Sequence, residues 1–166
     1  MRIFKEEQRF TQIWLLVLIS FSTLIPLAII IKEFIEQPKG TSQSTLFISI
    51  LAILLVAGLI FTFKLDTRID ENGIHYKFFP FHLKMKTIQW KNIKKVHVRN
   101  YNPIGEYGGW GLKSGAFWNK SKGTAINVSG TIGIQLELKN GKNILIGTQK
   151  EHDAKQVLTT YINKIY

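Results

Sequence analysis

The chain has 166 residues, 45% of them apolar, with no cysteine and 22 Lys or Arg against 11 Asp or Glu, a formal net charge of +11. That length suffices for one ordinary domain, and the absence of cysteine excludes a disulfide framework, thiolate metal sites and cysteine nucleophiles. His75, His82, His97 and His152 show no ligand-like pairing, so no metal and no other cofactor is expected.

Ile13 to Ile31 is a run of 19 residues without a charge. As a helix it spans about 28 Å, near the hydrocarbon thickness of a bilayer. Arg2, Lys5 and Arg9 precede it, as in a signal peptide, but the run is too long and no small-residue cleavage site follows, so an uncleaved anchor is expected. Pro26 frees the carbonyl of Ser22 inside this helix, and the hydroxyls of Ser20, Ser22 or Thr23 are placed to solvate it. After a polar connector, Thr45 to Phe63 is a second uncharged run of 19 residues. Together the two runs predict a transmembrane hairpin. Neither contains GxxxG or an internal ionisable side chain, which argues against an ion path or transporter core and for anchoring.

Arg2, Lys5, Arg9, Lys64 and Arg68 flank the outer ends of the helices, whereas the connector holds only Lys32 and Lys39. The positive-inside bias therefore predicts a multi-pass inner-membrane protein with both termini cytoplasmic. On that side the sequons at Asn119 and Asn127 are out of reach of glycosylation.

From Lys64 the apolar period changes to two, the mark of half-buried strands. Leu65, Thr67 and Ile69 begin the first, Glu71-Asn72-Gly73 turns, and Ile74, Tyr76 and Phe78 face inward on the second. Further strands are expected near Leu83 to Gln89, Ile93 to Tyr101, Ala125 to Val128, Ile132 to Leu138 and, after Asn140-Gly141, Asn143 to Ile146. Thr148 with Glu151 reads as a capping box for a final helix, whose Ala154, Val157, Leu158, Tyr161, Ile162 and Ile165 form one apolar stripe. The predicted organisation is thus a tail and hairpin over 1–63, with helices near 13–31 and 45–63. A seven-stranded antiparallel barrel or sandwich over 64–166, closed by a C-terminal helix on the pleckstrin-homology plan, follows.

Tyr76-Lys77-Phe78-Phe79-Pro80-Phe81-His82, the run Pro103 to Gly111, and Asn127-Val128-Ser129-Gly130 with Gly133-Ile134-Gln135-Leu136 carry a family resemblance. Through them nearly the whole chain resembles the bacterial pleckstrin-homology-like membrane proteins, in which a transmembrane hairpin precedes one such domain. The resemblance implies architecture and location, and no catalytic residue. Many eukaryotic pleckstrin-homology domains hold phosphoinositides around the loop joining their first two strands. Here the expected counterpart, Asp70-Glu71-Asn72-Gly73, is short and acidic, so that ligand is not implied.

Residues 64–166 hold 17 Lys or Arg against 7 Asp or Glu. By alternation Arg68, Lys77, Lys84, Lys86, Lys95 and Arg99 face outward, where they would attract anionic lipid headgroups or serve only topology and solubility. Nucleic acid is not expected, because no binding motif accompanies the charge. Phe79 and Phe81 flank Pro80 at a strand end and are candidates, with Lys77, Lys84, Lys86, Lys95 and Arg99, for lipid or partner contact. The segment from Asn102 to Gly123 reads as a recognition loop built on Glu106, Tyr107, Trp110 and Trp118, with Glu106 paired to Arg99 or Lys113. The functional expectation is a membrane-anchored, non-enzymatic binding or scaffolding module for a protein partner or anionic lipid. The alternative is an accessory or assembly subunit of a larger membrane complex.

Overall fold

The computed structural model describes residues 2–36, 42–114 and 123–165. The chain divides into two compact units, Phe10–Phe63 and a second made of Met1–Arg9 with Lys64–Tyr166.

The first unit is helical. Helix α1 spans Ile13–Glu36, running past the expected end through Lys32 and Glu36, an exposed pair one turn apart. Helix α2 spans Gln43–Leu59 and starts early because Ser42 caps it, its hydroxyl accepting from Thr45 N at 3.2 Å. A 3-10 turn at Ile60–Thr62 follows. Both helices are apolar all round, neither buries a residue in protein, and both are long and apolar enough to cross a membrane. Pro26 lies inside α1, but the neighbouring hydroxyls do not serve the expected carbonyl. Ser20 donates to Leu16 O, and Ser22 and Thr23 both donate to Ile19 O, at 2.7 to 2.9 Å. Helical Ser and Thr reach the carbonyls one turn back more readily than their own.

The second unit overturns the expected domain boundary. Strand β1, Phe4–Arg9, precedes the helices, yet pairs antiparallel with β2, Lys64–Asp70, with Arg9 opposite Lys64. The assignment of residues 1–63 to a tail and hairpin is therefore corrected: the helices interrupt the β unit between its first two strands. Apolar alternation does not mark the strand, because its inward positions are Phe4, Glu6 and Gln8, so two of three buried side chains are polar.

Strands β3 (Gly73–Phe79) and β4 (Lys86–Gln89) complete a sheet of order β1-β2-β3-β4. Strand β5 (Ile93–Asn100), helix α3 (Pro103–Tyr107) and strands β6 (Gly111–Ser114), β7 (Thr124–Asn127), β8 (Ile132–Leu138) and β9 (Asn143–Gly147) follow. They form a second sheet of order β5-β8-β9-β7-β6, in which β7 and β9 run parallel. Among the described residues, nine strands in two sheets with one parallel pairing thus replace the expected seven antiparallel strands. The additions are β1 and β6, the latter inside the glycine-rich segment where alternation is too short to read. The Asp70–Gly73 turn joins the second and third strands, not the first two, which the helices connect.

Leu65, Ile69, Ile74, Phe78, Ile134, Leu136 and Ile146 are fully buried, each contributing about 1.5–3 kcal/mol. Helix α4, Glu151–Tyr161, adds Ala154, Val157, Leu158 and Tyr161, while Ile162 stays exposed. Trp90 stacks on Tyr161 at 5.6 Å and donates its indole N–H to Asp70 O at 2.9 Å, tying helix to sheet. The expected cap is displaced. Lys150 occupies the N-cap position, and Thr148 instead donates its hydroxyl to Glu6 Oε2 at 2.6 Å.

Candidate functional site

Strand β3 ends at Phe79, opposite Lys64, the first residue after the helical unit. The β3–β4 loop therefore starts at the end of the sheet where the chain leaves for the helices and returns. Phe78 is buried and Phe81 stacks on it at 5.8 Å, with the Phe79–Pro80 peptide cis. His82 turns back into the fold: its amide donates to Phe78 O at 2.8 Å, and its Nδ1 accepts from Phe78 N at 3.3 Å. Its ring meets Tyr76 edge-on at 5.6 Å. Burial, and then the charge of Lys86, hold the imidazole below its ordinary range.

With His82 anchored, the loop's apolar side chains point outward. Phe81 is 60% exposed, Leu83 76%, Met85 43% and Phe79 36%, with exposed Lys84 and Lys86 on either side of Met85. Lys77, half-buried on β3 opposite Asp66, adjoins them. The structure thus gathers Lys77, Phe79, Phe81, Lys84 and Lys86 at one sheet end and adds Leu83 and Met85, which a reading of alternation assigned to a strand. Lys95 is exposed but lies in the other sheet, on β5 opposite Glu137.

Arg99 is withdrawn from that contact set. Its Nη1 and Nη2 donate to Glu106 Oε1 and Oε2 at 3.1 and 2.8 Å, and its Nε donates to Gln135 Oε1 at 3.1 Å. The hydrogen bonds to Glu106 raise its pKa further. Glu106 Oε1 also accepts from Asn102 N at 3.0 Å, so the pair fastens α3 to β5.

In its described residues, 102–114 and 123, the expected recognition loop is built into the fold. Asn102 caps α3 by accepting from Gly105 N at 2.9 Å, and Gly108, with φ of 75°, ends it in the left-handed conformation that favours glycine. Tyr107 is 1% exposed and edge-on to Tyr101 at 6.0 Å, which removes it as a contact residue. Burial pushes the Tyr101 phenol up to about 12. Trp110 is half-buried, its indole N–H donating to Gly130 O at 3.2 Å. Trp118 lies outside the described residues, as does Asn119. Asn127 is fully buried, its Nδ2 donating to Tyr101 Oη at 2.7 Å and its Oδ1 accepting from Gly111 N at 2.9 Å, so that sequon is structural.

Asp70 Oδ1 lies 2.9 Å from His75 Nε2, whose Nδ1 lies 2.8 Å from Thr87 Oγ1. The same carboxylate accepts from Asn72 N at 2.9 Å and has Arg68 Nε 2.9 Å from Oδ2, a contact of charge rather than a directed hydrogen bond. This cluster fixes the β2–β3 turn. A side chain at Gly73 would collide with Ile88 O, so that position also depends on glycine. Among the described residues no group of acidic and histidine side chains has the make-up of a metal site.

No protein-family model matches the chain, and no curated protein sequence matches it.

Proposed function

We propose that this chain is a membrane-anchored, non-enzymatic binding module that holds a basic, pleckstrin-homology-like unit on the cytoplasmic surface of the inner membrane and presents it to anionic lipid. Two uncharged helices of sufficient length support the anchoring. Because β1 and β2 pair across the inserted hairpin, the chain must return to the side it left, which agrees with the lysine and arginine bias. The pleckstrin-homology reading is supported by β1 to β4 in one sheet, β5, β8 and β9 in the other, and a closing α4. Strands β6 and β7 are then an addition, and the membrane hairpin occupies the connection between the first two strands.

The observation that carries the proposal is the β3–β4 loop. Exposed Phe81, Leu83 and Met85 alternate with Lys84 and Lys86 at the sheet end where the helices join. Apolar side chains interleaved with lysines suit the interface of an anionic bilayer, each lysine adding about 1 kcal/mol near the surface.

The chain has no cysteine, so a single introduced thiol reports one position. With the full chain in phosphatidylglycerol-rich nanodiscs, an environment-sensitive dye at Leu83→Cys should shift to the blue and be quenched by lipid-borne nitroxides. The same dye at Glu71→Cys, in the turn at the other end of the β2–β3 hairpin, should do neither. Equal quenching at both positions overturns the proposal.

A further inference from the structure

Strands β4 and β6 are edge strands of the two sheets, and a cleft of about 870 Å³ opens beside them. Three different elements send lysines to its rim: Lys86 from β4, Lys113 from β6 and Lys142 from the β8–β9 turn. All three are exposed, and among the described residues none makes an ion pair and no carboxylate lines the cleft. Beneath them lie Tyr76 and Ile126, 7% and 1% exposed, and the inward-turned His82.

This arrangement has two parts with different preferences. Three unpaired ammonium groups converging on one opening repel one another and are relieved by an anion. Half-buried Leu112 and Ile144 offer an apolar lining that an inorganic anion leaves unused, while the volume is that of a pocket for a small organic ligand. The depressed pKa of His82, caused by burial and by Lys86, is consistent with a positive potential inside the cleft. His82 lines the cleft while its neighbours Phe81 and Leu83 point outward, so the loop assigned to the bilayer surface also forms one wall.

We infer that the inter-sheet cleft binds a single-chain anionic amphiphile, its head group at the Lys86, Lys113 and Lys142 rim and its chain over Leu112 and Ile144. The inference rests on the membrane anchoring proposed above, and it does not require the loop to enter the bilayer.

Native mass spectrometry of the full chain in neutral detergent, with palmitoyl-lysophosphatidylglycerol as probe, tests it. One copy should bind per chain, with palmitoyl-lysophosphatidylcholine and inorganic phosphate each weaker by about tenfold or more. Lys113→Glu with Lys142→Glu should weaken the anionic probe by a further factor of about ten or more, and the two arginine replacements should retain it. Carbon-13 histidine spectra localise the event, because an anion offsetting Lys86 should raise the apparent pKa of His82. The same His82 response in phosphatidylglycerol nanodiscs, with no added probe, identifies the bilayer as the source; a response to the dissolved amphiphile alone identifies solution. Equal binding of the choline lipid, or a His82 signal unmoved by the anionic probe, overturns the inference. If that occurs while the Leu83 dye is still quenched, the cleft assignment fails and the lipid-facing loop stands.

Discussion

Arg99 offers five N–H donors, and the structure uses all of them: two on Glu106 and one each on Gln135, Asn100 O and Tyr107 Oη. A lysine supplies one nitrogen and cannot reproduce the fork, so Arg99→Lys should cost about 1.5–3 kcal/mol, read as a lower melting midpoint of the full chain. Alternation alone placed Arg99 among the outward lysines. The signal that separates it was Glu106, a lone carboxylate in a basic stretch, and the pairing expected of Glu106 was with Arg99 or Lys113. Asp70 gives a pH-dependent counterpart. Burial raises its pKa, but His75, the Asn72 amide and Arg68 together outweigh burial and hold it below the ordinary range. A depressed carboxylate stabilises the fold above its unfolded pKa, and that contribution is lost as pH falls through the folded value. The acid limb of the stability curve, from about pH 4 downward, should therefore be shallower in Asp70→Asn than in the natural chain, as followed by circular dichroism.

Strand β1 shows what periodicity can and cannot reveal about an element. Its sequence, Phe-Lys-Glu-Glu-Gln-Arg, reads as a polar tail, because the buried Glu6 carboxylate and Gln8 Nε2 find their partners more than a hundred residues away. Glu6 accepts from Thr148 Oγ1 at 2.6 Å and from Gln149 N at 2.8 Å, while Gln8 donates to Gly147 O at 2.8 Å. The shared carboxylate explains why Thr148 does not cap α4. Glu6→Ala and Thr148→Ala should each destabilise by about 1–3 kcal/mol, and the double variant by clearly less than the sum, because both remove the same bond. Thermal unfolding of the four forms closes that cycle. The helices were legible because an uncharged run of that length has few alternatives, and β8 because Ile132 to Leu138 alternates cleanly. Strand β6 was hidden by its brevity among glycines. The lysine cleft was hidden because Lys86, Lys113 and Lys142 have no relation in sequence and meet only when two sheet edges do.

At the scale of the whole molecule, the pairing of Arg9 with Lys64 makes the hairpin an insertion into an otherwise closable β unit. Replacing residues 10–63 by a two-residue Asn-Gly turn should yield a water-soluble chain with dispersed amide spectra, since such turns join antiparallel strands in register. The chain starting at Lys64 should fail that measurement, because it lacks the strand that Tyr161 and Thr148 hold in place through Arg2 O and Glu6. Order of synthesis adds a further consequence. Strand β1 leaves the ribosome before β2 and waits, unpaired, while residues 10–63 are made and, under the proposed anchoring, inserted into the membrane. If only one helix were to enter, β1 and the other three strands of its sheet would be left on opposite sides of the bilayer and never meet. Under the proposed anchoring, closure of the β unit thus requires that both ends of the hairpin lie on the same side of the membrane, and a copy with a single crossing would keep β2 as an open sheet edge.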